Sequence, residues 1–395
     1  MEWEKATTKD GGFIKVPSSW LFLHYYEALT VLFRIENALR VFVFIILKNV
    51  FRDKWTKIAI TDDGSNQDTI ESIAKKRVSQ ARSFGYLGYS ISCPLMHLTT
   101  GELIRLITSD ANWKYFKKYF SGSKEIMKNK LDEIGNVRNS IAHFRPIKEE
   151  DVELVKQNAK HVLADVEKCI SDMIECGNVV PTNTTEKWYQ ELGTLGSDNC
   201  TLSFNQSGDA EWVRVNIEYN CPIISQSTRG KDYITYRVLN IISSAILKEY
   251  PILSNAITYL FEDAPYVTMD GERPPDFKKD IMLVFSQEVL KTYYNELKEE
   301  IKKILLKVSE ETELIKQDNL AKGKLVEAVH SSAYRETDDG TGRWRIWKDN
   351  FFCPVKEDDP PEFWGIFYVA TREFISGTDR YPWMPIEISE APFPF

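Results

Sequence analysis

Residues 135–145 read Gly-Asn-Val-Arg-Asn-Ser-Ile-Ala-His-Phe-Arg, and the pattern around them decides the fold of the first half of the chain. At about 100° per residue, one face of a helix gathers the apolar side chains and places Arg138 in their middle. These apolar residues are Met127, Leu131, Ile134, Ile141 and Ala142. Ser123 can cap the first turn, and Pro146 disfavours helical backbone in the residue before it. The pattern predicts an amphipathic helix that follows Ser123 and runs to Phe144.

A column of polar side chains lies beside Arg138 on the same helix. It contains Asp132, Asn136, Asn139 and His143, at steps of four, three and four residues. An arginine in a buried stripe is costly unless an anion or a partner surface needs it. In the structural interpretation, the arginine head reaches solvent beside an ordinary histidine. In the functional interpretation, the two groups form a site for an anion.

The rest of the first half also has helical periodicity. Helices are predicted over 17–55, 69–92, 103–107 and 149–176, and around Trp113 to Phe120. The apolar stretch from Leu29 to Leu47 is interrupted by charged residues, which predicts a buried helix and no membrane span. We therefore expect an N-terminal lead over 1–17 and an all-helical domain over 18–178.

The second half has a different pattern. Residues 179–199 are rich in Thr, Asn, Gly and Ser, which is typical of a linker. Two alternating segments, 201–204 and 212–219, predict a hairpin. Helices are predicted over 233–261, over 290–315 from a heptad pattern, and near 364–374 among short strands. We expect an α+β domain over 200–395.

Composition limits the class of protein. The 395 residues carry a net charge of −8 and are 43% hydrophobic, which is typical of a soluble globular protein of two or three domains. The polar, acidic N-terminus and the scattered cysteines predict a cytoplasmic protein without a structural zinc. Motifs of P-loop, dinucleotide, zinc-protease and serine-hydrolase sites are absent, so neither a cofactor nor a metal is expected. We interpret four histidines as structural: His24, His97, His161 and His330.

The charge is unevenly distributed. Between Glu71 and Lys148, fourteen basic and six acidic residues give +8, which leaves −16 for the rest of the chain. An ordinary solvated surface would explain such a window. A basic module that attracts a polyanion would explain it as well.

The segment Arg138-Asn139-Ser140-Ile141-Ala142-His143 resembles the Arg-x(4–6)-His motif of the HEPN superfamily. The segment Glu36-Asn37-Ala38-Leu39-Arg40 in the long first helix and the opening Lys148-Glu149-Glu150-Asp151 of a later helix also resemble HEPN domains of Abi-type phage-defence proteins. The resemblance implies a mainly α protein, with an N-terminal HEPN-like helical bundle followed by the α+β domain.

The resemblance also implies a function. HEPN ribonucleases cut RNA without a metal, which would make Arg138, Asn139 and His143 catalytic. The remaining RNA contacts predicted here are Arg145, Lys128 and Asn136. A homodimer would complete the site at the motif helix, and a phage-derived trigger or an antitoxin would control it. The alternative is a non-catalytic HEPN module that binds RNA, a nucleotide or a partner protein.

Overall fold

The computed structural model describes residues 3–7, 13–17, 24–60, 68–84, 93–174, 176, 179–181, 185–263, 266–268, 275–335, 344–347 and 351–366. These residues divide into two compact units between Ser171 and Asp172, with Cys93 grouped in the second. The domain limits proposed from the sequence stay predictions. Within the described residues, no helix combines the length and the apolar composition that crossing a bilayer requires.

The first unit consists of a short hairpin and a set of helices. The hairpin pairs β1 (Trp3–Thr7) with β2 (Phe13–Pro17) in antiparallel register. The helices are α1 (Tyr25–Phe51), α2 (Ile70–Phe84), α3 (Thr100–Thr108), α4 (Asp110–Phe116), α5 (Lys124–Ala142) and α6 (Glu149–Val162). Helix α7 (Ala164–Ile174) runs across the division between the units. The mainly helical first half is therefore as the sequence predicts.

Helix α1 forms the centre of the first unit. Every side chain from Phe42 to Leu47 is buried. A helix that is apolar on all sides belongs inside a protein core, because no polar face remains to meet water. This confirms the buried helix predicted over Leu29 to Leu47. The predicted start of this helix is wrong at Pro17, which belongs to strand β2, and its residues 18–23 lie outside the described residues. The predicted end of α2 at 85–92 lies outside them as well.

The described part of the second unit contains two sheets. One has the strand order β11-β10-β6-β5, and the other has the order β12-β7-β9-β4-β3 with β8 paired to β9. The strands are β3 (Cys200–Gln206), β4 (Trp212–Cys221), β5 (Ile223–Arg229), β6 (Tyr233–Ile241), β7 (Tyr259–Glu262), β8 (Tyr266–Thr268), β9 (Asp276–Ser286), β10 (Val326–Arg335), β11 (Trp344–Ile346) and β12 (Phe363–Ile366). The helices are α8 (Lys187–Leu192), α9 (Ser243–Glu249), α10 (Pro251–Ala256) and α11 (Gln287–Lys316). The unit is α+β, as predicted.

Two predicted elements of the second unit are confirmed. Strands β3 and β4 pair as the predicted antiparallel hairpin. Helix α11 contains the heptad pattern and buries Leu297, Ile301 and Ile304. The one polar residue in that pattern, Thr312, is buried, and its hydroxyl lies 2.9 Å from the Tyr219 hydroxyl. A hydrogen bond therefore accounts for the interruption.

Two predicted helices are wrong. The stretch 233–261 contains strand β6, the short helices α9 and α10, and part of strand β7. Strand β6 pairs with β5 on one side and β10 on the other, and its second half is continuously buried. A strand buried on both faces lacks the polar alternation that separates strands from helices. Trp364 lies in strand β12, and residues 367–374 of that predicted helix are outside the described part.

Candidate functional site

The motif helix α5 begins as the sequence predicts. The Ser123 hydroxyl accepts a hydrogen bond from the N–H of Ile126 and so caps the first turn. The buried face packs against α1, α3 and α6. Its residues are Met127, Leu131, Ile134, Val137 and Ile141. Ala142 was expected in this stripe but is exposed, because α5 ends there.

Helix α5 ends two residues before the predicted limit, in a Schellman motif. The N–H of Phe144 donates to the carbonyl of Ile141, and the N–H of Arg145 donates to the carbonyl of Ser140, both at 2.9 Å. These bonds satisfy carbonyls that the end of a helix otherwise leaves unpaired. His143 is the C-cap residue, so the motif fixes its backbone while its side chain is exposed.

Phe144 closes this turn in the left-handed region, with φ 53°. Glycine is the usual residue there, because a side chain in this conformation costs about 1–2 kcal/mol. The Phe144 ring is 72% exposed. It lies parallel to the Tyr25 ring, with centroids 6.1 Å apart and an interplanar angle of 9°. The Tyr25 hydroxyl donates to the Ile141 carbonyl at 3.4 Å, which joins the start of α1 to the end of α5.

The Arg138 guanidinium is half-buried against α1. Its side chain is 33% exposed, and its Nε lies 3.4 Å from Oε2 of Glu36. The other oxygen of Glu36 pairs with Arg40, and the Thr100 hydroxyl donates to the same carboxylate. The sequence pattern required an anion or a partner surface near Arg138. Glu36 is that anion, and it lies between two arginines.

An open groove of about 400 Å³ adjoins this ion pair. Three arginines line the groove, Arg40, Arg77 and Arg138, together with Glu36 and His97. Guanidinium groups bind phosphates and carboxylates through paired N–H donors. Two carboxylates oppose these three guanidinium groups, Glu36 in the described lining and Glu102 paired with Arg77. One positive charge remains in excess, so the groove is suited to a phosphate-sized anion.

Arg77 is fixed in the groove wall by Glu102. The two guanidinium nitrogens of Arg77 each lie 2.8 Å from a different oxygen of Glu102, which also completes the capping box of α3 with Thr99. Burial opposes ionisation of Glu102, but the bonds from Arg77 and Thr99 outweigh it and lower the pKa of the carboxyl group. Burial and the charge of Arg77 lower the pKa of His97, which keeps that imidazole neutral near pH 7.

We expect Glu102→Gln to lower the free energy of unfolding at pH 7 by about 1–3 kcal/mol, because the charged hydrogen bonds to Arg77 are lost. The pKa of Glu102 is lower in the folded state than the ordinary value of 4.5. Its stabilisation is therefore complete above pH 4.5 and disappears as the pH falls through the lowered value. Urea unfolding curves should differ most between variant and wild type near pH 7 and converge as the pH falls below the lowered pKa of Glu102. The control is Glu299→Gln, which replaces an exposed glutamate of α11 and should change the free energy of unfolding by less than about 0.5 kcal/mol. If the difference in stability between Glu102→Gln and the wild type does not depend on pH, the expectation is wrong.

The structure separates the six predicted site residues into four positions. Arg138 faces the groove. Asn136, Asn139 and His143 are exposed, and their spacing places them on one face of α5. Lys128 is exposed about 12 Å before Asn136 along the helix axis, and Arg145 follows the helix end. Within the described part of the chain, the His143 side chain has no hydrogen-bond or ion-pair partner. The roles of these residues stay predictions.

Sequence reasoning missed part of the groove. Arg77 lies on α2, and His97 had been interpreted as an ordinary structural histidine. Both come next to Arg138 only through packing, since they are more than forty residues before it. The available signal was the basic window from 71 to 148, which contains Arg77 and Arg138.

Comparison with known proteins bears on the first unit. The family model described as Swt1-like HEPN matches residues 30–167, about a third of the chain. No curated protein and no solved structure matches. The matched residues run from α1 into α7 and include the groove and the motif helix. The helical unit that carries Arg138 and His143 is therefore a HEPN superfamily domain, matched over residues 30–167.

Proposed function

We propose that this protein is a metal-independent endoribonuclease. HEPN domains include ribonucleases and nucleotide-binding modules. The observation that favours cleavage is that one helix holds Arg138 at an arginine-lined groove and ends on the exposed His143. A phosphate-binding cation and a group that transfers protons near neutral pH are the two elements that RNA cleavage needs.

The reaction uses the RNA's own 2′-hydroxyl as nucleophile. A base removes the 2′-hydroxyl proton, O2′ bonds to the adjacent phosphorus, and the bond to O5′ breaks as an acid protonates the leaving oxygen. The products are a 2′,3′-cyclic phosphate and a 5′-hydroxyl. In this proposal His143 transfers protons, Arg138 stabilises the phosphorane charge, and Asn139 orients His143 or the phosphate.

The proposal includes a homodimer with a composite site. Each chain offers one exposed histidine at this position, whereas the reaction benefits from an acid and a base together. A second copy of the motif helix across a two-fold axis supplies the other histidine. On α1, Leu29 and Phe33 are exposed on the same face as Glu36 and Arg40, which gives an apolar surface next to the groove.

The biological role in this proposal is anti-phage defence or a toxin. Unrestrained cleavage of RNA harms the cell that makes the enzyme, so such an enzyme needs a restraint. Residues 200–395 would restrain the helical domain or sense a phage-derived trigger, and an antitoxin is a further means of control.

A second function is favoured by a specific observation. Arg138 is already paired with Glu36, and His143 has no side-chain partner within the described residues. Both observations are consistent with a non-catalytic module that binds RNA, a nucleotide or a partner protein. In that case the protein binds RNA and leaves it intact.

Incubation of the purified full-length protein with single-stranded RNA in EDTA buffer tests the proposal. We expect cleavage to 2′,3′-cyclic phosphate ends, and a rate lower by about 10²- to 10³-fold for Arg138→Ala, because the phosphorane loses its charged donor. Arg105→Ala, at an exposed arginine outside the groove lining, should match the wild type. Light scattering of the active protein should give the mass of two chains. RNA that is bound but uncut by the wild type, also in cells challenged with phage, would favour the binding module.

A further inference from the structure

One aromatic ring at the end of the motif helix, that of Phe144, is not explained by folding. The rings of Phe144 and Tyr25 are parallel, and Phe144 directly follows His143. Phe144 is exposed over 72% of its surface, so it contributes little to the core of the helical domain. A stability argument thus does not account for an aromatic residue at this position.

The backbone conformation at position 144 makes a phenylalanine there more unusual. Phe144 occupies the left-handed position of the Schellman motif, which glycine fills without strain. Both hydrogen bonds of the motif are made by backbone atoms, so glycine would preserve them. Strained positions that lack a structural benefit are concentrated at functional sites. The ring itself is therefore the feature to explain.

The neighbours of the ring indicate its ligand. His143 and Arg145 flank Phe144 in the chain, and both side chains are exposed. The Tyr25 hydroxyl is bonded to the Ile141 carbonyl, which orients the second ring. Exposed aromatic rings next to cationic side chains are groups on which proteins stack the bases of single-stranded nucleic acids.

We propose that Phe144 and Tyr25 form a stacking surface for one nucleobase of single-stranded RNA, next to the phosphate that Arg138 and His143 address. This inference rests on the proposed ribonuclease function and adds a base-binding subsite to it. The stacking holds the strand so that its sugar-phosphate backbone passes His143. Since every base has a π-face, the subsite gives affinity with little dependence on sequence.

The rival occupant of the rings is a second copy of the chain. The exposed Leu29 and Phe33 belong to the same helix as Tyr25, so an interface there would extend towards the rings. Arg145 favours RNA, because a two-fold interface centred on the rings would bring this cation towards its own copy, whereas an RNA strand brings a phosphate to it. The experiment separates the two occupants.

The test measures binding of a mixed-sequence 12-nucleotide RNA, fully 2′-O-methylated so that it cannot be cut, by fluorescence anisotropy with the full-length protein. An abasic strand of the same length is the matched probe. We expect Phe144→Gly to weaken binding of the methylated RNA about tenfold, to leave binding of the abasic strand unchanged, and to raise the melting temperature by about 2–4 °C through relief of strain. Phe144→Tyr keeps a ring and should bind within about twofold of the wild type.

Three outcomes overturn the inference in distinguishable ways. Equal affinity of Phe144→Gly and wild type for both probes overturns the stacking surface, while cleavage of unmodified RNA by the wild type leaves the ribonuclease proposal intact. Loss of the dimer in light scattering with unchanged RNA affinity per chain assigns the rings to the subunit interface. A wild type that neither binds nor cuts RNA removes the proposed function, and the stacking surface with it.

Discussion

His143→Ala is expected to lower the rate of RNA cleavage by about 10²- to 10⁴-fold, because the reaction loses the group that transfers its protons. The fold should survive the change. The His143 side chain is exposed and has no partner within the described residues, and the backbone bonds that end α5 do not involve the imidazole. Single-turnover cleavage in EDTA buffer gives the rate, and circular dichroism gives the fold.

His161→Ala is the matched control for this variant. His161 is also an exposed histidine near the end of a helix of the first unit, but it lies on α6 and not on the motif helix α5. Its replacement should leave the cleavage rate within about twofold of the wild type. Equal rates for His143→Ala and wild type would refute proton transfer by this residue. Loss of folding or of RNA binding alone would instead favour the binding module.

Induced expression in cells compares the wild type with the variants in the same way. Wild-type protein that is active without a trigger should stop growth, whereas Arg138→Ala and His143→Ala should not. If growth stops only after a phage challenge, the restraint assigned to residues 200–395 becomes the next subject of study. Growth arrest by all three proteins would separate toxicity from cleavage.

The fold of α5 could be predicted because its signals are local. A 3.6-residue period, the Ser123 cap and Pro146 all lie within the segment itself. The partner of Arg138 could not be predicted in the same way, since Glu36 is 102 residues earlier in the chain. The sequence pattern required an anion or a partner surface at the arginine but did not contain the information to choose it.

The end of α5 illustrates a second limit of prediction from the sequence. Helix periodicity continues through His143 and Phe144, yet the chain leaves the helix after Ala142. The residue that closes the turn is a phenylalanine, where propensity favours glycine. Sequence rules describe which residues stabilise the end of a helix. They fail at Phe144 because the proposed reason for this residue is contact with a ligand.

Sequence patterns also mislead where a strand is buried on both faces, because the alternation of polar and apolar residues is then lost. The hairpin β3–β4 and the helix α11 keep one polar side, and both were predicted. Strand β6 lies inside a sheet and β7 is buried throughout, so neither shows alternation. The sequence predicts a helix up to residue 261, whereas the structure places the next residue, Glu262, in β7 with no exposed surface.

The second large effect concerns this buried glutamate. The Lys279 Nζ lies 2.7 Å from Oε2 of Glu262, and both side chains are fully buried. The ammonium group also donates to the carbonyls of Ile241 at 2.9 Å and Phe351 at 2.8 Å. Three oxygen acceptors match its three protons, and the Cys353 Sγ at 3.9 Å is a weaker fourth contact. One lysine thus connects β6, β7, β9 and the segment at Phe351.

We expect Lys279→Met to lower the free energy of unfolding by about 3–5 kcal/mol, because Glu262 is left as a buried charge without its cation. Urea unfolding followed by circular dichroism measures the loss. Lys278→Met is the matched control from the neighbouring position of β9. Lys278 pairs with Glu218 at 3.0 Å on a partly exposed surface, so its loss should cost less than about 1 kcal/mol.

The double variant Lys279→Met/Glu262→Gln separates the buried charge from simple loss of packing. If the penalty arises from the unpaired carboxylate, removing that charge as well should restore at least about 1 kcal/mol of the stability lost in Lys279→Met. The Ser243 hydroxyl and the Cys353 N–H both bond to Glu262, and the glutamine oxygen can still accept one of these bonds. If the double variant is no more stable than Lys279→Met, the three hydrogen bonds of the ammonium group, rather than the charge of Glu262, dominate this part of the core.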